Sequence, residues 1–246
     1  MKIALIGYGK MGKAIEAVAL EKNARAGTNL YDIILRIDID NRDKITLEEL
    51  SQADVAIEFT SPETALRNIY WCFEANVPVV VGSTGWTKEL SKVQQFAAEN
   101  DKSFLFSPNF SIGVNIFFEI NRKLAEIMNH YEDYDVMMTE IHHTQKKDAP
   151  SGTALFAALD ILKRIQRKDQ WRNYASDNKA TLSILSERID DVPGTHIVKY
   201  FSPIDEIELK HTAHNRTGFA SGALLAAEWL VGKKGFYSME DVLGFN

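Results

Sequence analysis

Residues 1 to 12 read MKIALIGYGKMG, an apolar run that breaks into glycines at positions 7, 9 and 12 and continues into KMGKAIEAVALEKN, a segment of helical period. A strand that ends in G-x-G-x-x-G and opens a helix is the context of a dinucleotide fingerprint. Gly7 permits the tight turn, Gly9 lets the backbone approach a pyrophosphate, and Gly12 allows the helix to pack closely, with the helix N-terminus facing the anion. Gly7, Tyr8, Gly9, Lys10, Met11 and Gly12 are therefore the expected cofactor loop, for NADH or NADPH. A glycine-rich turn without a ligand is the plainer alternative, and the place of the motif at the first strand-to-helix junction argues against it. The apolar run is too short for a signal segment or a membrane span, so a cytoplasmic protein is expected.

Working outward, the strand-like runs KIALI, DIILRID, DVAIEF, VPVVVGS and SFLFSPN alternate with helical segments such as SPETALRNIYWCFEAN and, after Thr87, KELSKVQQFAAEN. Alternating strand and helix implies a parallel sheet covered on both faces. Ser61, Pro62 and Glu63 supply a cap, a first-turn proline and an early acid. From Ser111 the pattern becomes a long helix (IGVNIFFEINRKLAEIMN), the strand YDVMMTEIHH, a polar loop, the helix GTALFAALDILKRIQRK, the polar stretch QWRNYASDNKA, and the strands TLSILSE, THIVKYFS and EIELKHTAH. The expected fold is α/β, with an N-terminal Rossmann-type doubly wound parallel sheet and a smaller α+β domain with a mixed sheet. The expected boundaries are a dinucleotide-binding domain over 1–110, completed by 217–246, and a substrate-binding and oligomerisation domain over 111–216. The small-residue helix GFASGALLAAEWLVGK in the final segment needs a partner for its apolar face, and the first sheet is the expected one.

The 246 residues are enough for a sizeable core, and 45% hydrophobic with 25% charged residues is the balance of an ordinary globular protein. A net charge of -6 provides no basic footprint for nucleic acid, which excludes that partner class on electrostatic grounds. The single cysteine, Cys72, sits among apolar helical residues; it forbids an intramolecular disulfide and suits a reducing compartment.

A ribose-binding acid is expected at the end of the second strand, and DIILRID ends in Asp38, displaced by an insertion at NARAGTNLYD. Arg36 and Arg42 lie near enough in sequence to take a 2′-phosphate, which leaves the choice between NADH and NADPH open. Two further loops fall at the carboxyl ends of parallel strands: Gly82, Ser83 and Thr84 of GSTG, and Ser107, Pro108, Asn109 and Phe110 of SPNF. Small residues and hydroxyls there suit a nicotinamide and its ribose.

The densest chemistry lies in EIHHTQKKDAPSGTAL, residues 140 to 155. His142 and His143 follow a strand, Lys146 comes four residues after His142, and the PSGT turn opens a helix whose exposed N–H groups suit a carboxylate. No metal is expected, because HExxH and paired cysteines are absent and adjacent strand residues point apart. As a plain turn, PSGT would use Ser151 or Thr153 only as a helix cap. Near the second domain boundary, His211, His214 and Arg216 read mostly as structural, with Arg216 the one candidate ligand.

The run HHTQKKDAPSGTA, residues 142 to 154, together with GYGKMG, closely resembles the 4-hydroxy-tetrahydrodipicolinate reductase family of the diaminopimelate route to lysine. EFTSPETAL, VGSTGW, SPNFSIGVN, HNRTGFASGA and MEDVLGF also occur in the family's order, so the resemblance covers nearly the whole chain. It implies NAD(P)H-dependent reduction of a dicarboxylate substrate with loss of water, usually in a homotetramer. It further implies His142 and Lys146 as proton-handling catalytic residues, and His143, Ser151, Gly152 and Thr153 at the substrate. Lys10 stands where the family often has arginine, and no arginine directly follows Asp38. The alternatives are another two-domain amino-acid dehydrogenase, which should lack the central signature, or a dinucleotide-sensing protein without turnover.

Overall fold

The computed structural model describes residues 1–215 and 217–245. In chain order its elements are β1 (Lys2–Ile6), α1 (Lys10–Ala26), β2 (Asp32–Ile37), α2 (Leu47–Leu50), β3 (Val55–Glu58), α3 (Pro62–Glu74), β4 (Val79–Val81), α4 (Leu90–Glu99) and β5 (Ser103–Phe106). There follow α5 (Ile112–Met128), β6 (Asp135–His142), α6 (Gly152–Arg164), β7 (Gln170–Arg172), β8 (Thr181–Arg188), β9 (Gly194–Phe201), β10 (Glu206–Ala213), α7 (Thr217–Leu230), β11 (Gly235–Tyr237) and α8 (Met239–Leu243). Two compact units result, one of Met1–Ile112 with Thr217–Asn246, the other of Gly113–Arg216.

The first unit is a six-stranded sheet in the order β11-β5-β4-β3-β1-β2, parallel throughout. The strands are apolar on both faces because helices cover both, and burial of β3, β4 and β5 is complete along their lengths. After β1 the chain moves outward to β2, then returns past β1 to β3. This reversal opens a crevice at the carboxyl ends of β1 and β3, the place where such sheets take ligands. Ser61 and Thr64 form a capping box at the start of α3, with Pro62 in its first turn. The start after Thr87 is a 3-10 turn over Thr87–Glu89 before α4 begins.

The small residues of α7 have a packing reason. Gly222 lies so close to the Phe110 carbonyl that a Cβ would stand 1.7 Å from its oxygen. Ala220, Ala223, Leu224, Ala226, Ala227 and Leu230 are all buried against Ile3, Leu5, Val55, Ile57, Val80 and Leu105 of the sheet. Each fully buried leucine is worth about 1.5 to 3 kcal/mol, so α7 is part of the core of this unit. Two strands fall where no strand was read in the sequence. β11 extends the first sheet beside β5, and β7 occupies the polar stretch from Gln170.

The second unit holds a five-stranded mixed sheet, β10-β9-β6-β8-β7. β6 runs antiparallel to β9 and parallel to β8. One face packs on α5 and α6 through Val136, Met138, Leu182, Ile184, Val198 and Tyr200. Alternation along β6 keeps Val136, Met138, Glu140 and His142 buried on that face and leaves the residues between them half-buried.

Candidate functional site

In the first unit the four candidate loops leave the same edge of the sheet. The Gly7 N–H donates to the Ile37 carbonyl at 2.8 Å, which brings the turn beside Asp38, the residue after β2. The three glycines divide the work that their spacing implies. Gly7 has φ +95°, and a Cβ on it would stand 2.0 Å from the Phe59 carbonyl oxygen; a Cβ on Gly12 would stand 2.5 Å from the Gly7 carbonyl oxygen. Gly9 is exposed, and a Cβ there would meet nothing within 4 Å. Gly9 also begins α1 without any side-chain cap, so its first-turn N–H groups are left to a ligand. An open, glycine-lined cradle at an uncapped helix start fits the pyrophosphate of a dinucleotide.

Phe59 joins the remaining loops. Its ring packs edge-on to Phe110 at 5.7 Å, and Gly82 lies where a Cβ would meet the same ring at 2.1 Å. Ser83 is buried and accepts from the Thr60 N–H at 2.7 Å, while Thr84 is exposed. The Ser107 hydroxyl donates to the Asn109 carbonyl at 2.7 Å and accepts its N–H, shaping the SPNF turn around an exposed Pro108. Beneath these loops Glu58 is fully buried and accepts from the Thr60 hydroxyl and N–H; burial pushes its carboxyl up despite these hydrogen bonds.

Tyr8 hydrogen-bonds Glu16, which also binds the Arg36 guanidinium. Lys10 is exposed and Met11 half-buried. Asp38 is exposed and accepts from the Ile39 N–H at 2.9 Å. Neither candidate for a 2′-phosphate is uncommitted: Arg36 is held by Glu16, and the Arg42 guanidinium lies 3.3 Å from the centre of the Trp71 ring. Arg216 lies outside the described residues.

In the second unit the apolar face of the sheet turns polar at one end. Glu140 is in register with His196 on β9 and Ser186 on β8, His142 with Arg188, and His196 with His211 on β10. Glu140 is fully buried. Its Oε1 accepts from Arg188 Nη2 at 3.1 Å; its Oε2 accepts the Ser151 N–H at 3.0 Å and stands 3.3 Å from His142 Nδ1. Burial alone would raise this carboxyl, but the polar groups of His142, Ser151 and Ser186 that surround it hold it well below the usual carboxylate range. His196, buried and 5.1 Å ring to ring from His142, is pushed down to about 3 by burial and by the neighbouring His142, so it is neutral near neutral pH.

Ser151 caps α6, its hydroxyl accepting the Ala154 N–H at 3.2 Å and lying 3.1 Å from His196 Nε2. This buried hydroxyl is thus committed to the cap and to His196. Gly152 and Thr153 open the helix at its surface, and a Cβ on Gly152 would meet nothing within 4 Å. His143 is half-buried just past the strand end. Lys146 donates to both Asp148 oxygens at 2.8 Å. Glu140, His142 and His196 have ligand atoms within 4.8 Å of one another, a spacing a metal ion could bridge. The Arg188 guanidinium already pairs with that carboxylate at 3.1 Å.

The sequence names His142, His143, Lys146 and the helix start, which the structure places at one end of the second sheet, and it did not point to Glu140, Arg188 and His196, which lie beside them. The available signal was Glu140, an acid two residues before His142 and hence on the same buried face of the strand.

Family models of dihydrodipicolinate reductase match both parts of the chain, the N-terminus over residues 1–110 and the C-terminus over 113–243. The 4-hydroxy-tetrahydrodipicolinate reductase of Christiangramia forsetii is 44% identical over 243 residues, covering 99% of this chain and 98% of its own. That of Neisseria gonorrhoeae is 35% identical, covering 100% and 98%. A solved dipicolinate-bound dihydrodipicolinate reductase from Paenisporosarcina sp. TG-14 has the same fold, with a TM-score of 0.77 at 24% identity over 98% of each chain. The glycine cradle, the polar end of the second sheet and these matches agree, and the chain belongs to the dihydrodipicolinate reductase family.

Proposed function

We propose that this chain reduces 4-hydroxy-tetrahydrodipicolinate to tetrahydrodipicolinate with loss of water, using NADH or NADPH. The observation that carries this reading is the grouping of His142, Lys146 and the open start of α6 at one end of the second unit. When bound, a reduced nicotinamide supplies a hydride; one proton is consumed with it, and the substrate hydroxyl leaves as water. Gly7 to Gly12 and Asp38 would hold the dinucleotide, with Gly82 to Thr84 and Ser107 to Phe110 at its nicotinamide end. Lys146 supplies positive charge and a proton as the substrate gains electron density, and His142 exchanges a proton at its imidazole. The N–H groups of Gly152 and Thr153, with His143, hold a substrate carboxylate at the helix start.

This reading includes a homotetramer in the cytoplasm. Self-association is supported by the face of the second sheet turned away from α5 and α6, where Met137, Ile141, Leu185, Ile197 and Phe201 are only half-buried. Among the described residues no helix is long and apolar enough to cross a membrane. The test is oxidation of NADH or NADPH in the presence of substrate generated in situ by the preceding aldolase. A folded protein that consumes neither cofactor with this substrate refutes the proposal.

A further inference from the structure

The second unit contains an ion pair between a partly exposed arginine and a buried glutamate that the proposed chemistry has not used. Arg188 Nη2 reaches the Glu140 carboxylate at 3.1 Å and the Asp148 carbonyl at 2.6 Å, and its Nε reaches the Lys146 carbonyl at 3.3 Å. The other oxygen of Glu140 stands 3.3 Å from His142 Nδ1, a buried nitrogen with no hydrogen-bond partner among the described residues, so that this carboxylate is the acceptor within its reach. One carboxylate and one guanidinium therefore touch both the ring of His142 and the backbone of the loop that bears Lys146. His142 Nε2 is turned toward Gly194, where a Cβ would stand 3.0 Å from it, so the missing side chain leaves that nitrogen room.

We propose that the Glu140–Arg188 pair is the positioning device for both proton-handling side chains: the carboxylate keeps the His142 ring with Nδ1–H toward it and Nε2 as the exchanging atom, and the guanidinium fixes the loop of Lys146. This rests on the roles given to His142 and Lys146 above. The charged and titratable groups that face His142 are Glu140 on its own strand, Arg188 on β8, His196 on β9 with His211 beyond it on β10, and Lys146 with Asp148 in the loop. Of these, Glu140 is the anion nearest the ring, its Oε2 3.3 Å from Nδ1. The orientation of a histidine by a buried carboxylate at Nδ1 is a general way to fix which nitrogen exchanges the proton.

Two measurements test this. In ¹⁵N-labelled wild-type protein, two-bond ¹H–¹⁵N correlations of His142, identified by loss of its signals in His142→Asn, should show the neutral ring protonated on Nδ1. This reading does not depend on turnover. In steady-state kinetics, Glu140→Gln should move the alkaline limb of the pH–rate profile down by about one pH unit or more, with NADH affinity unchanged, because an opposite charge at this distance typically accounts for 1 to 3 units. Glu140→Asp should restore the limb. Arg188→Lys, which keeps the charge but loses the fork that spans three acceptors, should lower kcat by about 10 to 100-fold without moving the limb. A neutral ring protonated on Nε2, or a Glu140→Gln profile that coincides with wild type, overturns the inference. Should Glu140→Gln not fold, the wild-type tautomer and Arg188→Lys still decide it. A wild-type protein that turns over no substrate would refute the proposed function while the tautomer still answers this question.

Discussion

The glycine loop makes a contrast between neighbours that separates folding from binding. Gly7→Ala places a Cβ 2.0 Å from the Phe59 carbonyl oxygen at φ +95°. Left-handed strain of about 1 to 2 kcal/mol and overpacking of about 1 to 3 kcal/mol together predict a loss of roughly 2 to 5 kcal/mol. Gly9→Ala meets nothing within 4 Å, but with φ -83° its ψ of -147° lies outside the ordinary extended region, so backbone strain of about 1 kcal/mol adds to the poorer helix start of about 0.5 to 1 kcal/mol. At about 2 to 4 °C per kcal/mol, Gly7→Ala should lower Tm by roughly 4 to 20 °C and Gly9→Ala by no more than about 8 °C. The order reverses for the cofactor: the Gly9 methyl projects into the open cradle and should weaken NADH at least about tenfold, or 1.4 kcal/mol. Differential scanning calorimetry and titration calorimetry with NADH read the two effects separately. A Gly9→Ala protein that melts and binds NADH as wild type does would show that the cradle is not where the dinucleotide lies.

Asp38→Ala should weaken NADH more than NADPH, since a carboxylate accepts from a ribose and repels a 2′-phosphate; equal changes in the two Kd values would refute that role. Lys146→Ala and His142→Ala should each lower kcat by roughly 10² to 10⁴-fold with NADH affinity nearly intact, whereas His143→Ala should mainly raise KM, as initial-rate kinetics can show. The folded His196, pushed down to about 3, binds fewer protons than the unfolded chain below its ordinary value. Its stabilising contribution is therefore full above about pH 6.5 and is lost as pH falls toward 3, a change on the order of 5 kcal/mol. Denaturant unfolding of His196→Asn should show a flatter stability profile across that window, and an unchanged slope would refute the assignment.

The doubly wound sheet was legible because β1 to β5 are short apolar runs separated by segments of helical period, one of them opened by Ser61 and Pro62, signals that act locally. β11 escaped because GFY is three half-buried residues whose partner, β5, lies far back in the chain. β7 escaped for a similar reason: Gln170 and Arg172 carry no apolar alternation, and only pairing with β8 makes the segment a strand. In the site, HHTQKKDAPSGTA concentrates its chemistry in one loop and could be read directly. Arg188 and His196 sit on other strands, and only the register of β6 with β8 and β9 brings them to Glu140. The commitment of Arg36 to Glu16 and of Arg42 to Trp71 was likewise invisible, since each partner is distant in sequence.

The first unit is assembled from two separated lengths of chain, and this orders events during synthesis. Until the segment from Thr217 emerges from the ribosome, the sheet lacks its edge strand β11, and Leu5, Val80 and Leu105 lack the cover of α7. The intervening unit, residues 113 to 216, takes roughly 5 to 20 s to translate at ordinary elongation rates. During that interval the nascent nucleotide-binding half exposes one greasy face and one unpaired strand edge. It is in this window, rather than in the finished molecule, that holdase chaperones have something to grip.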